Sequence, residues 1–247
     1  MLLVLFGSLL ADPLGWATQQ NGHLVHDVLP IKENEQSQLG TGSQQTLWWH
    51  NEDAFHPFRG DYIGLMCLRN PDHVPTTYAC IDMLELDPKH VETLFEPRFI
   101  IRPDESHSEE HRELPTVTDA ADELLDSSYK RIAEMNSAPQ KLAALFGDPK
   151  SPYVCIDPYF MTFEEGNDEA REALDALFKA MDNSLTELVL QPGSFLFIDN
   201  YRAVHGRKPF KARYDGTDRW LKRINITRDL RKSRSSRLDC TSRIIFS

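Results

Sequence analysis

A succession of short apolar runs, each of strand length and each closed by a turn signal, limits the folds open to this chain. His23-Leu24-Val25-His26-Asp27-Val28-Leu29 alternates within a region of short strands over residues 18–30, and stops at Pro30. Tyr62 to Leu68, Thr76 to Leu84 and Arg98 to Arg102 follow, the last ending at Pro103. Tyr153 to Ile156 resumes strand character. Leu188 to Gln191, Pro192-Gly193 and Ser194 to Asp199 read as strand, turn, strand, and Trp220 to Thr227 as one more. Helical spacing is confined to residues 1–10, 117–147 and 164–185; in the last, Ala170, Leu174, Leu177, Phe178 and Met181 share one face. Residues 33–46 are polar and contain glycine, as a loop would. The sum is mainly β with helical insertions, an antiparallel sandwich or jelly roll rather than a doubly wound parallel sheet. There is no GxGxxG and no Walker sequence, so nucleotide cradling has no support.

A length of 247 residues fits one large domain or two small ones and is enough to bury a sizeable core. The net charge of −11 argues against a nucleic-acid binder, which needs a basic surface to neutralise phosphates. The four cysteines, Cys67, Cys80, Cys155 and Cys240, form no CxxC pair, which reads as a reduced, cytoplasmic protein; Cys155 falls in an apolar strand and reads as core. The apolar start MLLVLFGSLL lacks a basic n-region and is far too short to cross a bilayer, so a buried helix is expected there and no membrane partner.

The stretch WWHNEDAFHPFRGDY raises the question of a metal site. On a strand, residues i and i+2 share a face, so His50 and Glu52 can reach one ion. The bland alternative is polar residues beside an aromatic cluster, and HxE alone is a weak signal. Two histidines and a carboxylate on one side of an ion leave open positions, the arrangement of non-haem Fe(II) oxygenases. The third ligand would be His205, which PGSFLFIDNYRAVHGR places just beyond a strong strand and turn; a surface histidine in a loop is the alternative. In GTDRWLKRINITR, Arg219 and Arg223 lie four apart and share a strand face. Buried, such arginines need anions. Two small carboxylates would serve, one from an oxo-acid cosubstrate and one from an amino acid, because the guanidinium fork matches a carboxylate. An exposed strand of alternating charge is the bland reading.

A rival motif is His107-Ser108-Glu109-Glu110-His111, the HxxEH pattern of inverted zinc peptidases. It needs a helix to bring both histidines to one face. Between Pro103 and Pro115 the segment is densely charged, and reads as a solvated acidic loop over residues 105–115. An oxygenase should therefore barely notice replacement of His107.

Taken together, WHNEDAFHPFRGDYIGLMCLRN, IDNYRAVHGR and YDGTDRWLKRINITRDLR resemble the clavaminate synthase-like Fe(II)/2-oxoglutarate-dependent oxygenases, in particular the branch that hydroxylates free L-arginine or L-lysine. The resemblance runs from about Leu9 to Arg231. It implies one oxygenase domain over 1–247 with a double-stranded β-helix, or jelly-roll, core. It implies Fe(II) on His50, Glu52 and His205, with 2-oxoglutarate and O2 as cosubstrates. Arg219 would bind the distal carboxylate of 2-oxoglutarate with help from Thr77, and Arg223 the substrate carboxylate. Gln19, Glu52 and Asp104 would contact the amino acid, and Asp157 would meet its cationic end. The reaction implied is hydroxylation of an unactivated C–H with release of succinate and CO2. The run Asp157-Pro158-Tyr159 offers one acid where arginine-specific members tend to show two, which favours lysine slightly. Family members carry a further N-terminal segment before the helix expected at Met1, so a catalytically silent binding protein is the alternative. A homo-oligomer is left open.

Overall fold

The computed structural model describes residues 2–109 and 119–246. Two antiparallel sheets carry the site. In the larger, the strand order is Phe195–Asp199, Tyr62–Arg69, Trp220–Thr227, Asp12–Trp16 and Ile244–Ile245, with His26–Val28 also paired to Trp220–Thr227. One pairing is parallel, between Asp12–Trp16 and Ile244–Ile245. The smaller sheet runs Thr186–Leu188, Thr76–Cys80, Ala203–Arg207, Leu47–His50. These sheets form the expected jelly-roll core, with helices added outside it.

Strand alternation explains how the smaller sheet serves two purposes. Trp49 faces outward into the main apolar cluster, its ring 5.4 Å from Phe178, while His50 on the next residue faces the cavity between the sheets. The outward cluster is completed by the helix Asp168–Ser184, which buries Ala170, Ala173, Leu174, Leu177 and Met181. Asn167 caps that helix, its side chain accepting from the Ala170 amide. Each fully buried leucine or methionine here contributes about 1.5–3 kcal/mol relative to exposure. Cys155 lies in this core as expected, and all four cysteines are free thiols.

Several expectations need correction. The helix expected over 117–147 spans Asp119–Ser137; Leu142 and Leu145 belong to strands instead. Pro139 explains the end, since the residue before a proline is pushed away from helical geometry. Over 18–30 only His26–Val28 is a strand. The N-terminal helix, Leu2–Gly7, buries Leu3 and Gly7 but leaves Leu2, Leu5 and Phe6 exposed, so it is not the buried helix the apolar composition suggested. Among the described residues no helix is long and apolar enough to cross a membrane.

Candidate metal centre and substrate cavity

The His50-x-Glu52 segment is fixed by a reciprocal pair of asparagines. Asn51 Nδ2 donates to the carbonyls of Asn200 and Ala203, both at 3.0 Å, and its Oδ1 accepts from the Ile156 amide at 2.9 Å. Asn200 returns the contact, its Oδ1 accepting from the Glu52 amide at 2.8 Å and its Nδ2 donating to the carbonyls of Glu52 and Gly60. The loop after His50 is thereby tied to the turn before His205. Direct strand pairing sets His205 opposite His50.

The three side chains converge. Glu52 Oε2 lies 3.8 Å from His50 Nε2 and 3.6 Å from His205 Nε2. Among the described residues Glu52 Oε2 is buried without a hydrogen-bond partner, which a cation between these groups would remedy. His50 Nδ1 is engaged by the Trp48 carbonyl at 2.7 Å, leaving Nε2 as the ligand atom. The donor set, two imidazoles and one carboxylate, fits iron(II) and leaves coordination positions for small molecules.

The electrostatics of the three side chains suit a cation. Burial opposes ionisation of Glu52, but the Arg223 guanidinium, His50 and His205 outweigh it and hold its carboxyl well below the usual range. Burial also opposes protonation of His50, yet Glu52 and Asp157 raise it to about 9, while burial and His50 bring His205 down to about 3. At neutral pH one proton therefore occupies the ligand set, on His50. Below pH 6.5 that proton stabilises the metal-free fold fully, and the contribution is lost as pH rises through about 9. A metal ion must displace it, so affinity should climb about tenfold per pH unit up to that point and then level off. Calorimetry with Co(II) at pH 7, in buffers of different ionisation enthalpy, should show about one proton released per ion. No release would contradict this charge assignment.

A cavity of about 480 Å³ opens from the three side chains, within the range of small-molecule sites. It divides by charge. At one side lie Arg219 and Arg207, both buried and brought down to about 10 by burial, so both remain cationic at neutral pH. Arg219 Nη2 donates to Thr76 Oγ1 at 3.1 Å, while Arg219 Nε and Arg207 Nε and Nη2 have no partner among the described residues. Two adjacent guanidiniums with idle donors define an anion site. Thr77, expected to assist Arg219, does not line this cavity; Thr76 does. Strand alternation is the reason: Thr76 pairs with Arg207, whereas Thr77 pairs with Gly206 and faces the other way.

Near Glu52 stands Arg223, in an ion pair with Glu52 Oε1 and donating to His26 Nδ1 at 2.9 Å. Burial, then Arg223, lowers His26 to about 3 and keeps it a neutral acceptor. Arg223 Nη2 also approaches Gln19 Oε1 at 3.4 Å, and its Nε is unpartnered. Asp104 and Asp157 line the same cavity, as does Gln19. Asp157 Oδ1 accepts from the amides of Tyr159 and Phe160, and Asp104 Oδ1 from the Ser106 amide and hydroxyl, so among the described residues each carboxylate keeps its second oxygen. Burial raises Asp157, and Asp104 is close enough to raise it further.

The structure thus brings together His50, Glu52, His205, Arg219, Arg223, Gln19, Asp104 and Asp157. Sequence reasoning missed His26, Arg207, Thr76 and the two asparagines, whose roles depend on distant partners and carry no local signal. The solvated loop expected over residues 105–115 is corrected at His107, within its described part. Residues Glu105–His107 form a single turn and His107 is fully buried, with both ring nitrogens engaged by Thr18 and Asp53. That leaves it no lone pair for zinc; Glu110 and His111 lie outside the described residues.

Jelly roll, ligand set and paired anion sites together define a non-haem iron oxygenase. The family model for "Taurine catabolism dioxygenase TauD, TfdA family" matches residues 4–225, and the chain belongs to that family. It is 51% identical over 243 residues to the enduracididine beta-hydroxylase of Streptomyces hygroscopicus, covering 98% of this chain and 71% of that protein. It is 45% identical over 246 residues to the L-ornithine/L-arginine 3-hydroxylase of Catenulispora acidiphila, covering 100% and 72%. The crystal structure of the non-haem iron oxygenase OrfP with Fe, succinate and (3S)-hydroxy-L-Arg superposes with a TM-score of 0.91 at 50% identity, covering 99% of this chain and 71% of that one. The chain is an Fe(II)- and 2-oxoglutarate-dependent dioxygenase acting on amino acids.

Proposed function

We propose that this enzyme hydroxylates free L-arginine, or a close guanidino relative, at the β-carbon. The observation that carries the reading is the division of charge in one cavity: Arg223 beside the ligand set, and Asp104 with Asp157, each with a carboxylate oxygen that has no partner among the described residues. A lone acid at Asp157 favoured lysine. Asp104 supplies a second acceptor, and a guanidinium makes use of two where an ammonium needs one. The relatives named for arginine, ornithine and enduracididine point the same way.

In this reading His50, Glu52 and His205 hold Fe(II), which supplies the oxygen-activating chemistry when bound with 2-oxoglutarate. Arg219 and Arg207 take the distal carboxylate of the cosubstrate through their idle donors. Arg223 takes the α-carboxylate of the amino acid, with His26 and Gln19 holding the guanidinium in place. Glu52 and Gln19 flank the amino-acid end, and the two aspartates fix the far end. Binding at both ends pins the intervening carbons against the metal position, which is the main contribution a protein makes to such chemistry.

The test is succinate formation from 2-oxoglutarate and Fe(II) with arginine, ornithine, lysine and citrulline, with products identified by mass and NMR. Arginine should gain one oxygen at C3, with kcat/KM at least about tenfold above lysine. Highest efficiency with lysine would sink the substrate assignment. Absence of stimulated turnover with every amino acid tried would sink hydroxylation altogether.

A further inference from the structure

The buried histidine of the HxxEH sequence belongs to a layer directly behind the cavity wall. His107 Nε2 donates to Asp53 Oδ1 at 3.1 Å, and its Nδ1 lies 2.7 Å from Thr18 Oγ1. Asp53 Oδ2 accepts from Trp16 Nε1 at 2.5 Å and from Asn225 Nδ2 at 3.1 Å. The imidazole packs edge-on against Trp16 and Phe55, with centroids 5.7 and 5.0 Å away. Asp53, His107 and Asp104 are close enough to suggest a second metal site. Hydrogen bonding already occupies both nitrogens of His107 and both oxygens of Asp53, so the cluster is a closed network.

Its position gives it a purpose. Three of its polar members are chain neighbours of cavity residues: Thr18 precedes Gln19, Asp53 follows Glu52, and His107 follows Ser106. These residues sit on three separate turns, none held to another by sheet register. One imidazole joins them. Asp53 has φ 50°, a left-handed backbone that a non-glycine residue keeps only when its surroundings impose it. A second chain of contacts runs parallel in front, from Arg223 through Gln19 to Ser106 Oγ at 2.6 Å and on to Asp104.

We propose that His107 is a positioning residue for hydroxylation: through Asp53 and Thr18 it fixes the Asp104–Ser106 wall of the substrate cavity to the loop that carries Glu52. The proposal rests on the function given above. Fixing that wall sets the distance between the bound amino acid and the metal position. Loosening it lets the cosubstrate be consumed without product, because C–H insertion tolerates little displacement of the reacting carbon.

The experiment compares wild type with His107→Ala, His107→Gln and Thr18→Val. It reads hydroxylated product per succinate, KM for each substrate, and, without turnover, anaerobic arginine binding to the Co(II)- and 2-oxoglutarate-loaded protein by calorimetry. For His107→Ala, product per succinate should fall about tenfold and arginine Kd rise about tenfold, with KM for 2-oxoglutarate within about twofold of wild type. Glutamine can donate to Asp53 and accept from Thr18, so it should recover most of both losses. Thr18→Val leaves Asp53 paired and should show the same pattern at smaller size; if the alanine variant does not fold, this variant decides. Unchanged coupling and arginine affinity in folded variants would overturn the proposal. So would equal losses for both substrates, or no recovery with glutamine. A wild type that hydroxylates no amino acid overturns the functional reading instead, a separate outcome read before any variant is compared.

Discussion

Glu52→Ala should leave the enzyme unable to retain iron or to form succinate. The backbone of Glu52 is held by Asn200 through both its amide and its carbonyl, so the loop does not depend on the carboxylate for its course. What disappears is the carboxylate that faces His50 Nε2 and His205 Nε2. Loss of hydrogen-bonding partners around a metal already costs about 10–100-fold in affinity, and loss of a ligand should cost about 100-fold or more. The same substitution strands the Arg223 cation, which should destabilise the metal-free protein by up to about 3 kcal/mol. Metal content after dialysis, together with succinate formation and a thermal melt, tests all three. A variant that keeps a full complement of iron would remove Glu52 from the ligand set.

Arg219→Ala should separate affinity from stability in the opposite direction. Removing one partner of a buried charged contact costs about 2–5 kcal/mol, so KM for 2-oxoglutarate should rise about 100-fold. The metal-free protein should not be weakened, since two buried guanidiniums with idle donors lie together there and each disfavours the other. Melting temperature without 2-oxoglutarate should hold or increase, while the stabilisation conferred by 2-oxoglutarate should vanish. A KM within a few-fold of wild type would assign the cosubstrate carboxylate elsewhere. Equal destabilisation with and without cosubstrate would mean that Arg219 is structural.

Histidine, acid and arginine at even spacings point to the residues that converge on the cavity, but not through the strand geometry expected: the strand ends at His50 with Glu52 in the loop beyond it, and Arg219 precedes the strand Trp220–Thr227, whose register shifts after Trp220. Thr77, which the family resemblance implies beside Arg219, lies one residue off the cavity face that Thr76 occupies. Charge density misled at His107: a segment full of acids looks solvated, and nothing local announces that Trp16, Thr18, Phe55 and Asp53 will enclose one imidazole. Asp104 is implied by the family resemblance; it lines the cavity with Asp157 from a different turn, a proximity that sequence spacing does not show. Helix termination before Leu142 was open to prediction from Pro139.

The asparagine clamp has a consequence for how this molecule assembles. Glu52 and Asn200 meet across 148 residues of chain, so the ligand set cannot exist in a partly folded intermediate that lacks either sheet edge. Contacts of such long range form slowly, because closing the intervening loop precedes any reward from the contact itself. The three-ligand site therefore exists only in the finished fold, and an ion held there favours that fold over the unfolded chain. By mass action it draws the population forward over the last step, and each tenfold excess of metal over its dissociation constant adds about 1.4 kcal/mol against unfolding. In a cell, iron supply would then govern how long the protein survives as well as how fast it turns over.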